Sequence, residues 1–527
     1  MNPISRLSIL LPYFPALVSG MLLTLAFPDH ALYPVAFFAL VPLWTSMASM
    51  GPRQAFSAGM VTGVSHFLTL IYWIVPCLTR FGKLNIGLSL ACLVLLSLYL
   101  ALYTGGFAYI LNKLAPRPWL APFWGGTVWV GLEFIRSHAL TGFPWGVLGY
   151  TQSPNIGLVQ MADLTGVLGI SFVLLLSNGI LAQAWLALGP QNRIKSIVQE
   201  QRGAWIFSLV LGIFLVAGAH AYGFFRLPHV QTWIKSAPHT KISVVQGNIE
   251  QDQKWDKAFK DFTLDRYTSL SLKACPADLI VWPETALPFY YGRDPVYSSR
   301  VDQLIRQTRT HFLLGSPAVD SQKESISYYN RAYMLNPLSM VTGTYDKTHL
   351  VPFGEYVPFQ NLLWFVKKLT QAAGNFSQGR TGAVPLNFKP HKTGVLICFE
   401  ILFPDISRAF VQNGADILTT ITNDAWFGQT SAPAQHFSFG VLRAVENRRS
   451  LVRAANTGIS GFIDPSGKIL LATQLFVPAA ATQDLPALSN ITFYTRHGDL
   501  IGIFALVAMA MGFMIKPIKN KFRRLGQ

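Results

Sequence analysis

Three polar residues stand where apolar runs stop: Glu284 after LIVWP, Lys347 after TGTYD and Cys398 after GVLI. They lie 63 and 51 positions apart, so only a fold can bring them together. As a set they suit nucleophilic acyl chemistry. A thiol of pKa about 8.5 attacks poorly until a base removes its proton or a cation stabilises the thiolate. A desolvated glutamate can be that base. A lysine ammonium can hold the thiolate and then face the oxyanion of a tetrahedral intermediate. Taken singly, each has an ordinary reading: Glu284 a solvated loop acid, Lys347 a surface charge, Cys398 a core residue ending a strand. A disulfide to Cys275 is a further alternative, since it would occupy the thiol. Against it, Cys275 lies in LKACPADL, a solvent-type stretch just before a strand. No Cys–His spacing resembles a protease signature and no cluster has metal-ligand spacing, so neither metal nor cofactor is expected.

The elements that must carry these residues alternate. KISVVQG at 241–247 reads as a strand, and 256–273 as an amphipathic helix with Phe259, Phe262, Leu270 and Leu272 among charges. DLIVWPE is a short buried strand stopped by Pro283, 297–310 is helical, and HFLLGSP is another strand. RAYMLNP and VTGTYDK form a hairpin around 337–339. GVLICFE, ADILTTITND, LVRAANTG and GFIDPSGKIL continue the strands, with helices near 405–413 and 435–448. This alternation predicts a layered α/β domain with buried sheets.

The rest of the chain is of another kind. Hydrophobic residues make up 51% of the 527 positions and charged residues only 13%, about half the usual globular share of roughly 25%. Runs without Asp, Glu, Lys or Arg cover 7–27, 31–51, 55–79, 84–112, 118–132, 164–192, 204–225 and 500–515. A helix needs about 20 apolar residues to cross a bilayer, so eight spans are expected, the first retained rather than cleaved as a signal peptide. The net charge of +17 suggests nucleic acid at first sight, but topology accounts for it. With the N-terminus inside, cytoplasmic segments carry Arg6, Arg53, Lys113, Arg117, Arg193, Lys195, Arg202, Lys516, Lys519, Lys521, Arg523 and Arg524, against Arg80, Lys83 and Arg136 in short outer loops. The expected organisation is therefore helices over 1–225, an extracytoplasmic α/β domain over 226–496, and a last span with a basic tail over 497–527.

At this point the chain resembles the nitrilase superfamily through its Glu, Lys, Cys order. More narrowly, VWPETALP, YDKTHLVPFGEYVPF, ICFE, TNDAWFG, VVQGNIEQDQKWD and TGFPWGVLGYTQ are similar to the apolipoprotein N-acyltransferases, its membrane-embedded branch. The resemblance implies a four-layer αββα domain beside about eight membrane helices. It assigns Glu284 as base, Lys347 as stabiliser of thiolate and oxyanion, and Cys398 as nucleophile. Glu355 and Glu400 match supporting acids, and Trp255 an aromatic near the site. Phe399 stands where the family commonly has Tyr, so any hydrogen bond assigned to that hydroxyl is absent here.

The implied reaction passes an sn-1 acyl chain from a glycerophospholipid to Cys398 as a thioester. The α-amino group of a diacylglyceryl-cysteine at an apolipoprotein's N-terminus then takes it. Expected partners are that donor, that acceptor and the bilayer; nucleic acid is not among them, and the protein is expected as a monomer in a bacterial inner membrane. Residues 361–376, with Trp364 and Phe365 beside two lysines, read either as a lipid-surface lid hinged at Gly374, Gly379 and Gly382 or as a core helix. Phe143, Trp145 and Tyr150 read as an aromatic floor or as a plain interfacial belt. Two other functions fit parts of the pattern: a membrane-anchored amidase, in which water takes the thioester, and a transporter with an outer sensing domain. Against transport, the spans lack Asp, Glu, Lys and Arg beyond Glu133.

Overall fold

The computed structural model describes residues 11–114, 116–188, 201–251, 259–322, 325–356 and 376–525. Its chain forms two compact units: Met1–Tyr72, Gly87–Arg226 and His497–Gln527 make the first, Trp73–Ile86 and Leu227–Arg496 the second.

The first unit is helical, and each apolar run of the sequence carries helix within it. Ile86–Leu114, Ala162–Leu188 and Arg202–Ser236 are long and apolar enough to cross a membrane. Leu11–Leu25, Tyr33–Met47 and Leu500–Met514 are shorter apolar helices. The sequence run 55–79 does not stay in one element: the helix Pro52–Leu70 ends, and from Trp73 the chain joins the second unit. Ile86–Leu114 and Arg202–Ser236 turn Leu95, Leu102, Phe207, Phe214 and Phe224 outward, each at least half exposed. Outward side chains of that size are compatible with an apolar surrounding such as a bilayer. Polar groups inside the unit are tied down. Buried Asp163 accepts from the Tyr222 hydroxyl and the Arg226 guanidinium, both at 2.8 Å. Glu133 accepts from the Leu148 amide at 2.7 Å, and Arg136 donates to the Trp145 carbonyl at 2.6 Å.

The second unit is an αββα sandwich. One sheet is built from β1 (His239–Gln246), β2 (Leu279–Val281), β3 (His311–Gln322), β4 (Ser325–Leu335) and β5 (Val341–Asp346). The other takes β6 (Leu386–Phe388), β7 (His391–Ile397), β8 (Ile417–Thr422), β9 (Ser450–Ala455), β10 (Gly461–Ile463) and β11 (Ile469–Ala472), while β12 (Ala479–Pro486) returns to the first. The orders are β12-β1-β2-β3-β4-β5 and β11-β10-β9-β8-β7-β6. β1, β2 and β3 run parallel, as do β7, β8 and β9. Strands buried on both faces read as continuous apolar runs, which is why LIV and GVLI carry no alternation. Helices Lys260–Lys273 and Pro295–Thr308 cover the first sheet, closing a core in which Trp282 meets Tyr267 and Phe312 at 4.8 and 5.8 Å and donates to Ser271 Oγ at 2.9 Å. Helices Pro404–Gln412 and Ala432–Asn447 cover the second.

Gly394 lets the first of these helices approach β7. A Cβ there would lie 2.5 Å from Phe410 Cβ, an atom that cannot swing aside. Gly394→Ala is expected to destabilise the second unit by about 1–3 kcal/mol, read as a lower Tm of the purified full chain; an unchanged Tm would show that the helix yields.

Candidate active site

Glu284 is placed by a strand that must stop. The Trp282 amide makes the last ladder bond, to the Leu313 carbonyl at 2.8 Å, and Pro283 has no N–H to continue it. Gly315 of β3 then lies under the turn: a Cβ on it would come within 2.6 Å of Pro283 O and Thr285 N. The Glu284 carboxylate, 5% exposed, accepts from Asn330 Nδ2 at 2.6 Å and from the Asn423 amide at 2.9 Å.

Lys347 follows β5 and is buried. Its Nζ lies 2.9 Å from the Glu355 carboxylate and 3.5 Å from Glu284 Oε1. Burial works against its charge, but Glu355 and then Glu284 outweigh that and hold its pKa well above the ordinary lysine value. Glu355 is itself fixed by the Val351 amide at 2.8 Å.

Cys398 follows β7 with φ +53°, a left-handed conformation that a residue with a Cβ adopts only where its surroundings impose it. Glu400 imposes it from one side. Its Oε2 accepts from the Ile397 amide at 2.7 Å. Its Oε1 accepts from the Thr348 amide and hydroxyl, the His349 amide and the Tyr345 hydroxyl at 2.7–3.1 Å. One carboxylate thus ties the loop after Lys347 to the strand before Cys398. On the other side, His436 Nε2 lies 3.1 Å from the Cys398 carbonyl. A neutral His436 with the proton on Nε2 serves that carbonyl and leaves Nδ1 to accept from Arg453 at 2.9 Å. Burial and the Arg453 charge both hold the His436 pKa down. Asp424 completes the group, accepting from the same Arg453 Nη2 at 2.7 Å; against the pull of burial, the Arg453 charge holds it below the usual carboxylate range.

β2, β5 and β7 all deliver their residues at carboxyl ends, where open α/β sheets place reactive groups. Glu284, Lys347 and Glu355 lie together, Glu400 sits behind them between the loop after Lys347 and the strand before Cys398, and Cys398 feels the charges of both Glu284 and Lys347. Its thiol is unbridged, as is that of Cys275. Phe399 is half-buried, its ring 5.9 Å from His349 and 5.3 Å from Phe403. Trp255, Trp364, Phe365 and Gly374 lie outside the described residues. Gly379 donates its amide to the Lys347 carbonyl at 2.9 Å. Trp145, 1% exposed, is no lipid-facing belt residue. Sequence reasoning missed Asn330, His436 and Arg453: Asn330 and Arg453 sit within strands, and His436 and Arg453 bind main chain rather than the thiol. Asn423 and Asp424 were visible only as part of TNDAWFG. Among the described residues no three of His, Cys, Asp and Glu cluster as metal ligands.

Comparison with known proteins covers nearly the whole chain. Residues 19–180 match the family model for the apolipoprotein N-acyltransferase N-terminal domain, and 241–485 that for carbon-nitrogen hydrolase. A Geobacter metallireducens protein described as apolipoprotein N-acyltransferase is 42% identical over 97% of this chain and 96% of its own length. One of the same description from Chlorobaculum tepidum is 31% identical over 94% of this chain and 96% of its own.

Burial, then the Glu284 charge, push the Cys398 thiol far above its ordinary value, and Lys347 only partly offsets them. That environment favours the neutral thiol over the thiolate. Alkylation of Cys398 by iodoacetamide, followed by peptide mapping, is therefore expected to keep rising with pH beyond the usual thiol value of about 8.5. A plateau below pH 8 would show a preformed thiolate instead.

Proposed function

The chain belongs to the apolipoprotein N-acyltransferases, and from that premise we propose that its lipoprotein N-acylation runs through a thioester on Cys398. The observation that carries the reading is one buried ammonium, Lys347, shared by the carboxylates of Glu284 and Glu355 and near enough to Cys398 for its charge to act on the thiol.

In the first half-reaction Glu284 takes the proton from Sγ as sulfur attacks the sn-1 ester carbonyl of a glycerophospholipid. Negative charge gathers on the carbonyl oxygen, where the Lys347 ammonium stabilises it. The C–O bond then breaks and Glu284 returns the proton to the departing lysophospholipid oxygen. In the second, the neutral α-amine of a diacylglyceryl-cysteine attacks the thioester and Glu284 accepts an amine proton. Sulfur leaves as thiolate and recovers the proton, and an amide remains. A base is needed in both halves because the thiol is neutral at rest and the amine sheds a proton on attack. Glu355 keeps the ammonium charged and aimed, and Glu400 sets the distance between Lys347 and the Cys398 strand.

The same triad would serve an amidase, with water as acceptor. A helical unit with outward Leu and Phe side chains favours a lipid donor over a soluble amide. We take the apolar runs as eight spans, the termini as cytoplasmic and residues 226–496 as the outer catalytic domain of a bacterial inner-membrane monomer, on the distribution of Lys and Arg.

Intact mass of the purified protein after incubation with a defined phosphatidylethanolamine tests this. Wild type is expected to gain one hydroxylamine-labile acyl chain, Cys398→Ala none, and Glu284→Gln to acylate about 10²–10⁴-fold more slowly. Free fatty acid without an adduct would favour a lipid hydrolase; no lipid turnover would defeat the phospholipid donor and leave an amidase acting on soluble amides as the alternative.

A further inference from the structure

Trp73–Ile86 takes in the end of one apolar run and the start of the next, yet it belongs to the catalytic unit. Trp73, Cys77 and Phe81 are four residues apart, so a helical stretch presents them on one face. All three meet the turn Asp424–Phe427. Cys77 Sγ donates to the Trp426 carbonyl at 2.9 Å. The Phe81 ring stands edge-on to Trp426, and the Trp73 ring edge-on to Phe427, each pair with centroids 5.0 Å apart.

That turn ends at Gly428, φ +59°, and carries Asp424, which holds Arg453 and through it His436. Phe427 also packs edge-on to the His436 ring at 6.0 Å. His436 in turn is 3.1 Å from the carbonyl of Cys398, the residue held at φ +53°. The line from Phe81 to the nucleophile's backbone is therefore continuous.

We propose that the Trp73–Phe81 segment is a positioning element of the active site: it fixes the Asp424–Phe427 turn and, through that turn and His436, the left-handed backbone of Cys398. Trp73, Cys77 and Phe81 act through other residues and supply no group to the reaction. The proposal rests on Cys398 as nucleophile. A reacting sulfur displaced by about 1 Å loses on the order of 10²-fold in rate, so a slack turn should slow the chemistry without weakening lipid binding.

The test uses the full chain in detergent micelles containing phosphatidylethanolamine, with Cys77→Ala, Cys77→Ser and Phe81→Ala beside wild type. Two rates are read: single-turnover acylation of Cys398 at saturating lipid, and its alkylation by iodoacetamide, which needs no lipid. Cys77→Ala and Phe81→Ala are expected to lower both by about three- to tenfold. Cys77→Ser, which keeps a hydroxyl donor, should recover most of the loss at a Tm matching that of Cys77→Ala. If Phe81→Ala unfolds, the Cys77 pair decides. Unchanged rates would overturn the proposal. So would slower acylation that more lipid restores while alkylation stays at the wild-type rate, since that pattern belongs to a lipid contact. An acyl adduct persisting in Cys398→Ala would instead remove the nucleophile itself.

Discussion

A lysine ammonium with 1% of its side chain exposed must be neutralised where it sits, because an unpaired buried charge costs several kcal/mol. Lys347 meets that demand with two carboxylates, and much of the second unit is arranged to deliver them. Glu284 arrives from β2, Glu355 from the loop after β5, and Asn330 of β4 bridges them, 2.6 Å from one and 3.3 Å from the other. The Lys347 amide bonds to the Asn330 carbonyl at 2.9 Å, so the residue that orients the acids also fixes the lysine's backbone. Moving any of these strands would strand a charge.

The thiol is treated differently from the ammonium. It is kept neutral, next to a carboxylate rather than in a tight ion pair, and its control lies in backbone geometry. Glu400 grips the amide before it, and His436 meets its carbonyl. Chemistry that passes the same proton outward and back needs a base that gains and loses it readily. A permanent thiolate would offer no proton to a departing alkoxide. The shared ammonium serves both stages because its charge never changes.

Much of this was legible in the sequence for physical reasons. LIV, GVLI and ILTTIT are uninterrupted because both faces of their strands are covered, and Pro283 marks where β2 must end. The turn at Asn336–Met340 announced itself through Pro337 and Ser339. β12 gave no such signal: AAATQDLP is neither alternating nor apolar, and it is a strand only because β1 offers it an edge. Asn330 was illegible because nothing distinguishes a mid-strand amide from a surface one until two carboxylates converge on it. His436 and Arg453 were hidden by the opposite circumstance, being too far in sequence from Cys398 to suggest a backbone role. The outward-facing helices were plain from composition, whereas the break at Trp73 was not. An apolar run reads the same whether its end faces lipid or packs on a neighbouring turn.

The catalytic unit is discontinuous in the chain, its short piece made long before the rest. On a ribosome, Trp73–Ile86 emerges about 150 residues ahead of β1, and at roughly 5–20 residues per second it waits many seconds for the surface it will cover. During that interval its aromatic face has no native partner, and the Trp426–Phe427 turn is among the later parts to be synthesised. Closing a loop of that length costs only a slowly growing entropy, so docking is feasible once both pieces exist. A fragment begun at residue 227 would nonetheless fold without its first piece and leave Trp426 and Phe427 uncovered. Such a fragment is a poor stand-in for the catalytic unit, and the enzyme's maturation has an order written into its connectivity.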